Sequence, residues 1–134
     1  MSLNKWIAVL HAVITGSVFL PWSNSVVFGY AAMVSKIDLQ FGFARPAGWV
    51  VILFCIAYYL TDIFLKKIDQ SKIEKIKVYL VWSLVFITGF DAFSIVFLTG
   101  YGIYLPQIGL IISFVCATIL VIVFNNKIHK KEVN

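Results

Sequence analysis

The stretch KVYLVWSLVFITGFDAFSIVFL, Lys77 to Leu98, decides the fold. After Lys77 it carries a single charge, Asp91, among side chains that are otherwise apolar, small or uncharged. Crossing the hydrocarbon core of a bilayer takes about 20 mostly apolar residues in a helix. The segment therefore reads as a transmembrane helix with one carboxylate inside it. Inserting such a group costs at least about 2.5–3.5 kcal/mol, so Asp91 needs a structural or functional reason.

Working outward, three more runs have the same character. Helix 1 extends from about Leu3 to Leu20 and is ended by Pro21. Helix 2, PAGWVVILFCIAYYLTDIFL, covers Pro46 to Leu65, with Pro46 in the first turn, where its missing N–H is harmless. Helix 3 covers 77–98 and helix 4 runs from about Leu105 to Phe124. Helices 2 to 4 reach spanning length; helix 1 does so only with Asn4 and Lys5 at headgroup level. The whole chain agrees with this pattern. Its 134 residues suit one domain; 61% are hydrophobic, 13% are charged, and the mean hydropathy is +0.95. Soluble domains lie nearer half apolar and a quarter charged. The expected fold is an all-α membrane protein, a four-transmembrane-helix bundle. An outer loop at 21–45, an inner loop at 66–76 and a tail at 125–134 complete it. The far end of helix 1, GSVFLPWSNS, has no A-x-A-like cleavage site, so this run is expected to persist as a helix and not as a removed signal.

The lysines orient the bundle. Lys5, the group Lys66, Lys67, Lys72, Lys75 and Lys77, and the group Lys127, Lys130 and Lys131 fall on one side; Lys36 and Arg45 fall on the other. The positive-inside rule then places both termini in the cytoplasm, most simply of a bacterial inner (plasma) membrane. Trp22, Trp49, Tyr101 and Tyr104 fall where an outer aromatic belt belongs. The net charge of +5 suggests no nucleic acid, because the lysines cluster at the ends of apolar runs.

The outer loop is too apolar for a solvated linker. KIDLQFGF alternates, with Ile37, Leu39, Phe41 and Phe43 on one face, which is a strand pattern. A lone strand leaves backbone groups unpaired. A neighbour is therefore expected in VVFGY, in TGYGIY or in a second copy, giving an ordered cap with a short strand or an interfacial helix. These four apolar residues are the candidate partner contact.

Candidate chemistry centres on Asp91, with Thr88 and Ser94 on its helix face, Ser113 on helix 4 and His11 on helix 1. One expectation is an ion or proton site. The other is a neutral, protonated carboxyl that hydrogen-bonds across helices. For His11 the simpler expectation is an imidazole bonded to a backbone carbonyl. Asp62, at the inner end of helix 2, stands one turn before Lys66 and suits an i,i+4 pair with it. Cys55 and Cys116 lie in apolar runs without CxxC spacing and read as core residues. No cofactor or metal is expected: bis-histidine haem ligation lacks a second intramembrane histidine, and metal ligands are too few. Signatures of hydrolases, phosphate loops and zinc proteases are missing.

The topology is similar to that of several four-span families, but their motifs are not here. Small multidrug-resistance transporters carry their acid in the first helix, where this chain has His11. Claudin-like proteins carry a W-GLW-C-C loop pattern that 21–45 lacks. The Pro106–Gln107 dipeptide is all that resembles PQ-loop transporters. The first expectation for function is a non-enzymatic accessory or interaction subunit of a membrane complex, as a homo-oligomer or with other chains. The alternatives are an oligomeric proton- or cation-coupled transporter or channel using Asp91 and, more weakly, a lipid- or quinone-binding redox subunit.

Overall fold

The computed structural model describes residues 2–28, 34–65, 68–97 and 103–132. Helix α1 is Leu3–Ser17, α2 is Pro46–Phe64, α3 is Gln70–Phe97 and α4 is Ile108–Glu132. Strands β1 (Pro21–Phe28), β2 (Val34–Phe41) and β3 (Ile103–Pro106) lie between them. Three stretches are long and apolar enough to cross a membrane: Pro46–Phe64, Gln70–Phe97 and Ile108–Ile128. Helix α1, at 15 residues, measures only about 22 Å at the α-helical rise. Large apolar side chains such as Phe64, Tyr79, Phe86, Phe90 and Ile122 are exposed on the outside of these helices. That surface suits lipid and not water.

Helix ends differ from the sequence expectation for local reasons. Helix α3 starts at Gln70, two turns before Lys77, because Asp69 caps it. The Ser71 amide donates to the Asp69 carboxylate at 3.3 Å, and the Lys72 amide donates to the Asp69 carbonyl. Ile73 is buried in this extension, so the lysine-rich stretch continues the helix and is not a loop. Residues 105 and 106 do not begin α4. A residue before proline is pushed to extended backbone, and Leu105 and Pro106 close β3 instead. At its other end α4 runs on past Phe124 through about two polar turns to Glu132.

The helices form a ring: α1 packs chiefly on α4, α4 on α3, and α3 on α2, while of the four neighbouring pairs α1 and α2 meet least. The core is a column of Ile7, Leu10, Ile14, Val51, Val81, Leu84, Leu110, Ala117 and Leu120 with neighbouring apolar groups. Its helix spacing of three and four residues puts one stripe of each helix inward.

The strands form one antiparallel sheet in the order β2-β1-β3. Strand β2 therefore finds its partner in β1, which includes Val26–Phe28 of VVFGY, and the other edge of β1 takes β3. The register pairs Ser25 with Asp38 on one side and with Tyr104 on the other.

The sheet is seated on the bundle by close backbone contact. Gly42 N–H donates to the Leu20 carbonyl, Phe43 N–H to the Val18 carbonyl, and Gln107 N–H to the Trp22 carbonyl. Trp22 is fully buried, and its indole N–H donates to the Ser17 carbonyl at 2.9 Å. It is thus the plug of this junction and not a belt residue. Of the other belt residues, Trp49 is exposed; Tyr101 lies outside the described residues. Glycine is required at this junction, at Gly48 against the Gly42 carbonyl and at two further contacts. A Cβ on Gly42 would lie 2.5 Å from the Trp22 ring, and one on Gly109 would lie 2.8 Å from both the Ser17 and Pro21 carbonyls.

Candidate functional site

The residue before Pro46 is Arg45, whose extended backbone (φ −106°, ψ 140°) makes it the N-cap of α2. That position turns its side chain to α3, where Asp91 waits. The guanidinium grips the carboxylate with two nitrogens. Nε donates to Oδ2 at 2.9 Å, and Nη2 donates to Oδ1 at 2.7 Å. This fork geometry is the strongest form of a carboxylate contact. The third nitrogen, Nη1, donates to Oε1 of Gln40 at 3.1 Å, and Ser23 Oγ donates to the same oxygen at 3.4 Å. The line Ser23–Gln40–Arg45–Asp91 thus ties β1 and β2 to α2 and α3.

The neighbours expected for Asp91 are placed differently. Ser94 Oγ donates to the Asp91 main-chain carbonyl at 2.8 Å, and Thr88 Oγ1 donates to the Leu84 carbonyl at 2.8 Å. Both hydroxyls serve their own helix, a common fate for Ser and Thr there. Ser113 is fully buried, and its Oγ has no hydrogen-bond partner among the described residues. His11 lies elsewhere: its Nδ1 donates to the Ile7 carbonyl at 2.9 Å, and its ring packs against Tyr58 at 4.5 Å between centroids.

A second ion pair stands toward the other end of the same two helices. Lys77 Nζ contacts both oxygens of Asp62 at 2.6 Å, and the ammonium lies 4.7 Å from the centre of the Tyr58 ring. Lys66 lies outside the described residues, so the structure's account of Asp62 is its pair with Lys77. Lys77 and Asp91 are fourteen residues apart on α3, about 21 Å at the helical rise. The α2–α3 hairpin is therefore clamped at two levels, and each helix supplies one acid and one base.

Of the candidate contact residues, Phe41 and Phe43 are exposed and stack at 5.6 Å, and Phe19 joins Phe43 at 6.2 Å. Ile37 and Leu39 hold register positions in β2 opposite Val26 and Asn24. Among the described residues no cluster of three or more His, Cys, Asp or Glu side chains stands close enough to hold a metal. Both cysteines are free; Cys55 is buried and Cys116 partly so.

Sequence reasoning missed Arg45, Gln40 and Lys77 as partners. One signal was available: apart from Lys36, Arg45 is the lone cation at the end of the bundle where Asp91 is the lone intramembrane acid. No family model, curated protein or solved structure matches the chain.

Proposed function

We propose that this chain is a non-enzymatic integral membrane subunit that holds a small β cap at one membrane face and docks a partner there. One observation carries the reading: the carboxylate inside α3 is already held by an arginine of the same chain, which also anchors the cap. A coupling ion would have to displace that fork, so Asp91 serves better as an anchor than as an ion site. The exposed Phe19–Phe43–Phe41 group beside the edge strand β2 supplies an apolar contact surface.

In this reading α1 is a fourth, short span, and its lysine-flanked start and the end of α4 lie in the cytoplasm of a bacterial plasma membrane. The cap then lies outside. The complex is a closed homo-oligomer or a larger assembly.

The test is native mass spectrometry of the protein released from its own membrane in mild detergent. The expected result is a stoichiometric assembly that persists in Asp91→Asn and is lost when Phe41 and Phe43 are both changed to Ser. An assembly indifferent to the Phe changes removes the contact surface. Ion flux in vesicles that collapses in Asp91→Asn while assembly survives favours the transporter alternative instead. Single cysteines at Ser2 and Ser71 should be labelled from the inner side, and one at Gln40 from the outer side.

A further inference from the structure

We infer that the bundle seats one phospholipid at its lysine-rich end, with the charged head between Asp62 and Lys127 and an acyl chain in the cleft between α1 and α2. The chemical class of the head is a phosphodiester beside a primary ammonium. All four helices wall the polar cavity: Asn4 comes from α1, Asp62 from α2, Lys77 from α3 and Lys127 from α4, and its volume is about 180 Å³. A second cavity of about 200 Å³ shares Asp62, Lys77 and Lys127 and adds Glu74. The charged walls are thus two acids and two bases. A head of one sign gains on one pair and loses on the other; a head carrying both charges gains on both.

The groups are unequally open. Lys77 is buried and holds both Asp62 oxygens at 2.6 Å. The Asp62 side chain is nonetheless 55% exposed. A carboxylate has about four acceptor positions, so Asp62 can take an ammonium from its open side. Lys127 and the Asn4 amide supply donors for the phosphate. The apolar half of the ligand follows from what the cavity adjoins. Tyr59 lines it and also lines the cleft between α1 and α2, whose volume is about 520 Å³. On α1, Asn4 of the polar cavity is followed at four-residue steps by Ala8, Ala12 and Gly16 of the cleft. That face runs about 18 Å at the helical rise, a little more than one leaflet of a hydrocarbon core about 30 Å thick. A charged mouth at one end of an apolar groove one leaflet deep matches a lipid head and its chain. The inference rests on α1 lying in the bilayer, as proposed above.

The experiment is a native mass-spectrometric titration of the delipidated full chain in mild detergent. The probes are the dioleoyl forms of phosphatidylethanolamine, phosphatidylcholine and phosphatidylglycerol. The first is expected to bind once per chain. The second has no N–H for Asp62 and the third has no cation, so each should bind about tenfold more weakly, the worth of one charged hydrogen bond. Asp62→Asn should erase that preference, and Asp62→Glu should keep it. Ala12→Leu fills the cleft and should weaken all three. Glycerophosphoethanolamine, the same head without chains, should not displace the lipid at equal concentration. The inference is overturned by equal affinity for the three lipids, which means annular lipid only, by a preference that survives Asp62→Asn, or by equal competition from the soluble head. A single cysteine at Val13 in a cysteine-free background, reconstituted in vesicles, separates this failure from failure of the reading beneath it. If an aqueous maleimide labels it, α1 is not in the bilayer and the fourth span falls. If it is shielded and no preference is seen, only the lipid site falls.

Discussion

The two ion pairs that clamp α2 to α3 are mirror images in their burial. At the cap end the acid is buried and the base is partly open: the Asp91 side chain is 9% exposed and that of Arg45 is 21%. At the lysine-rich end the base is buried and the acid is open: the Lys77 side chain is 9% exposed and that of Asp62 is 55%. Both pairs join the same helices, yet they do different work. The Arg45 fork also holds Gln40 and so reaches the sheet, whereas Lys77 lies over the Tyr58 ring and reaches only the bundle. A pair that looks equivalent by distance is therefore an anchor for a second structural unit at one end and a local clamp at the other.

The asymmetry is broken most severely at Arg45. Arg45→Leu leaves Asp91 buried without its cation, and breaking a buried pair from one side costs about 3–5 kcal/mol. Thermal unfolding in detergent should show a large drop in midpoint. Protease cutting should appear in the cap before the helices open. Asp91→Leu should cost less, because the partly exposed guanidinium can move to the interface. The double variant should resemble Asp91→Leu alone. If Arg45→Leu and Asp91→Leu prove equally harmful and fully additive, the fork carries no coupling and the anchor account fails.

The seat of the cap gives the next largest effect. Gly109→Ala places a methyl 2.8 Å from two carbonyl oxygens and from Leu20 Cβ. Those neighbours are largely backbone and cannot swing away, so a loss of about 1–3 kcal/mol is expected. Gly16→Ala, with open space around it, should be nearly silent. Comparing the two in one unfolding assay tests whether the sheet is docked by backbone contact or merely tethered.

The spans were legible in the sequence because a bilayer dictates both length and apolarity, and α2, α3 and α4 meet both. Helix α1 was ambiguous, and at 15 residues it stays the shortest of the four. The lysine-rich start of α3 was hidden because SKIEKIK looks like a loop by charge, although its isoleucines keep helical spacing. Asp91 stood out because it is the lone charge after Lys77 in its segment. Its partner did not, because Arg45 lies 46 positions away and only the packing of α2 on α3 brings them together. Trp22 misled for a related reason. An aromatic residue beside a proline at the end of a span suits a membrane belt, and only the returning chain at Gly42 builds the pocket that buries it.

The smallest expected effects lie at the lysine-rich end, and there the order of acid and base should reverse. Asp62→Asn leaves the Lys77 ammonium mostly buried with a neutral partner. A long side chain can still snorkel toward the surface, so the loss should stay near about 1–2 kcal/mol. Lys77→Met removes the buried cation, keeps the apolar stem and leaves Asp62 in contact with water. Pairs with an exposed member contribute little, so the change should fall within about 1 kcal/mol. At the cap end, losing the base hurts more than losing the acid; at this end, losing the acid should hurt more than losing the base. Unfolding midpoints of the four single variants, measured in the same detergent, decide it. If Lys77→Met is the more harmful change here, the ammonium is held by more than Asp62, and its contact with the Tyr58 ring becomes the term to remove next.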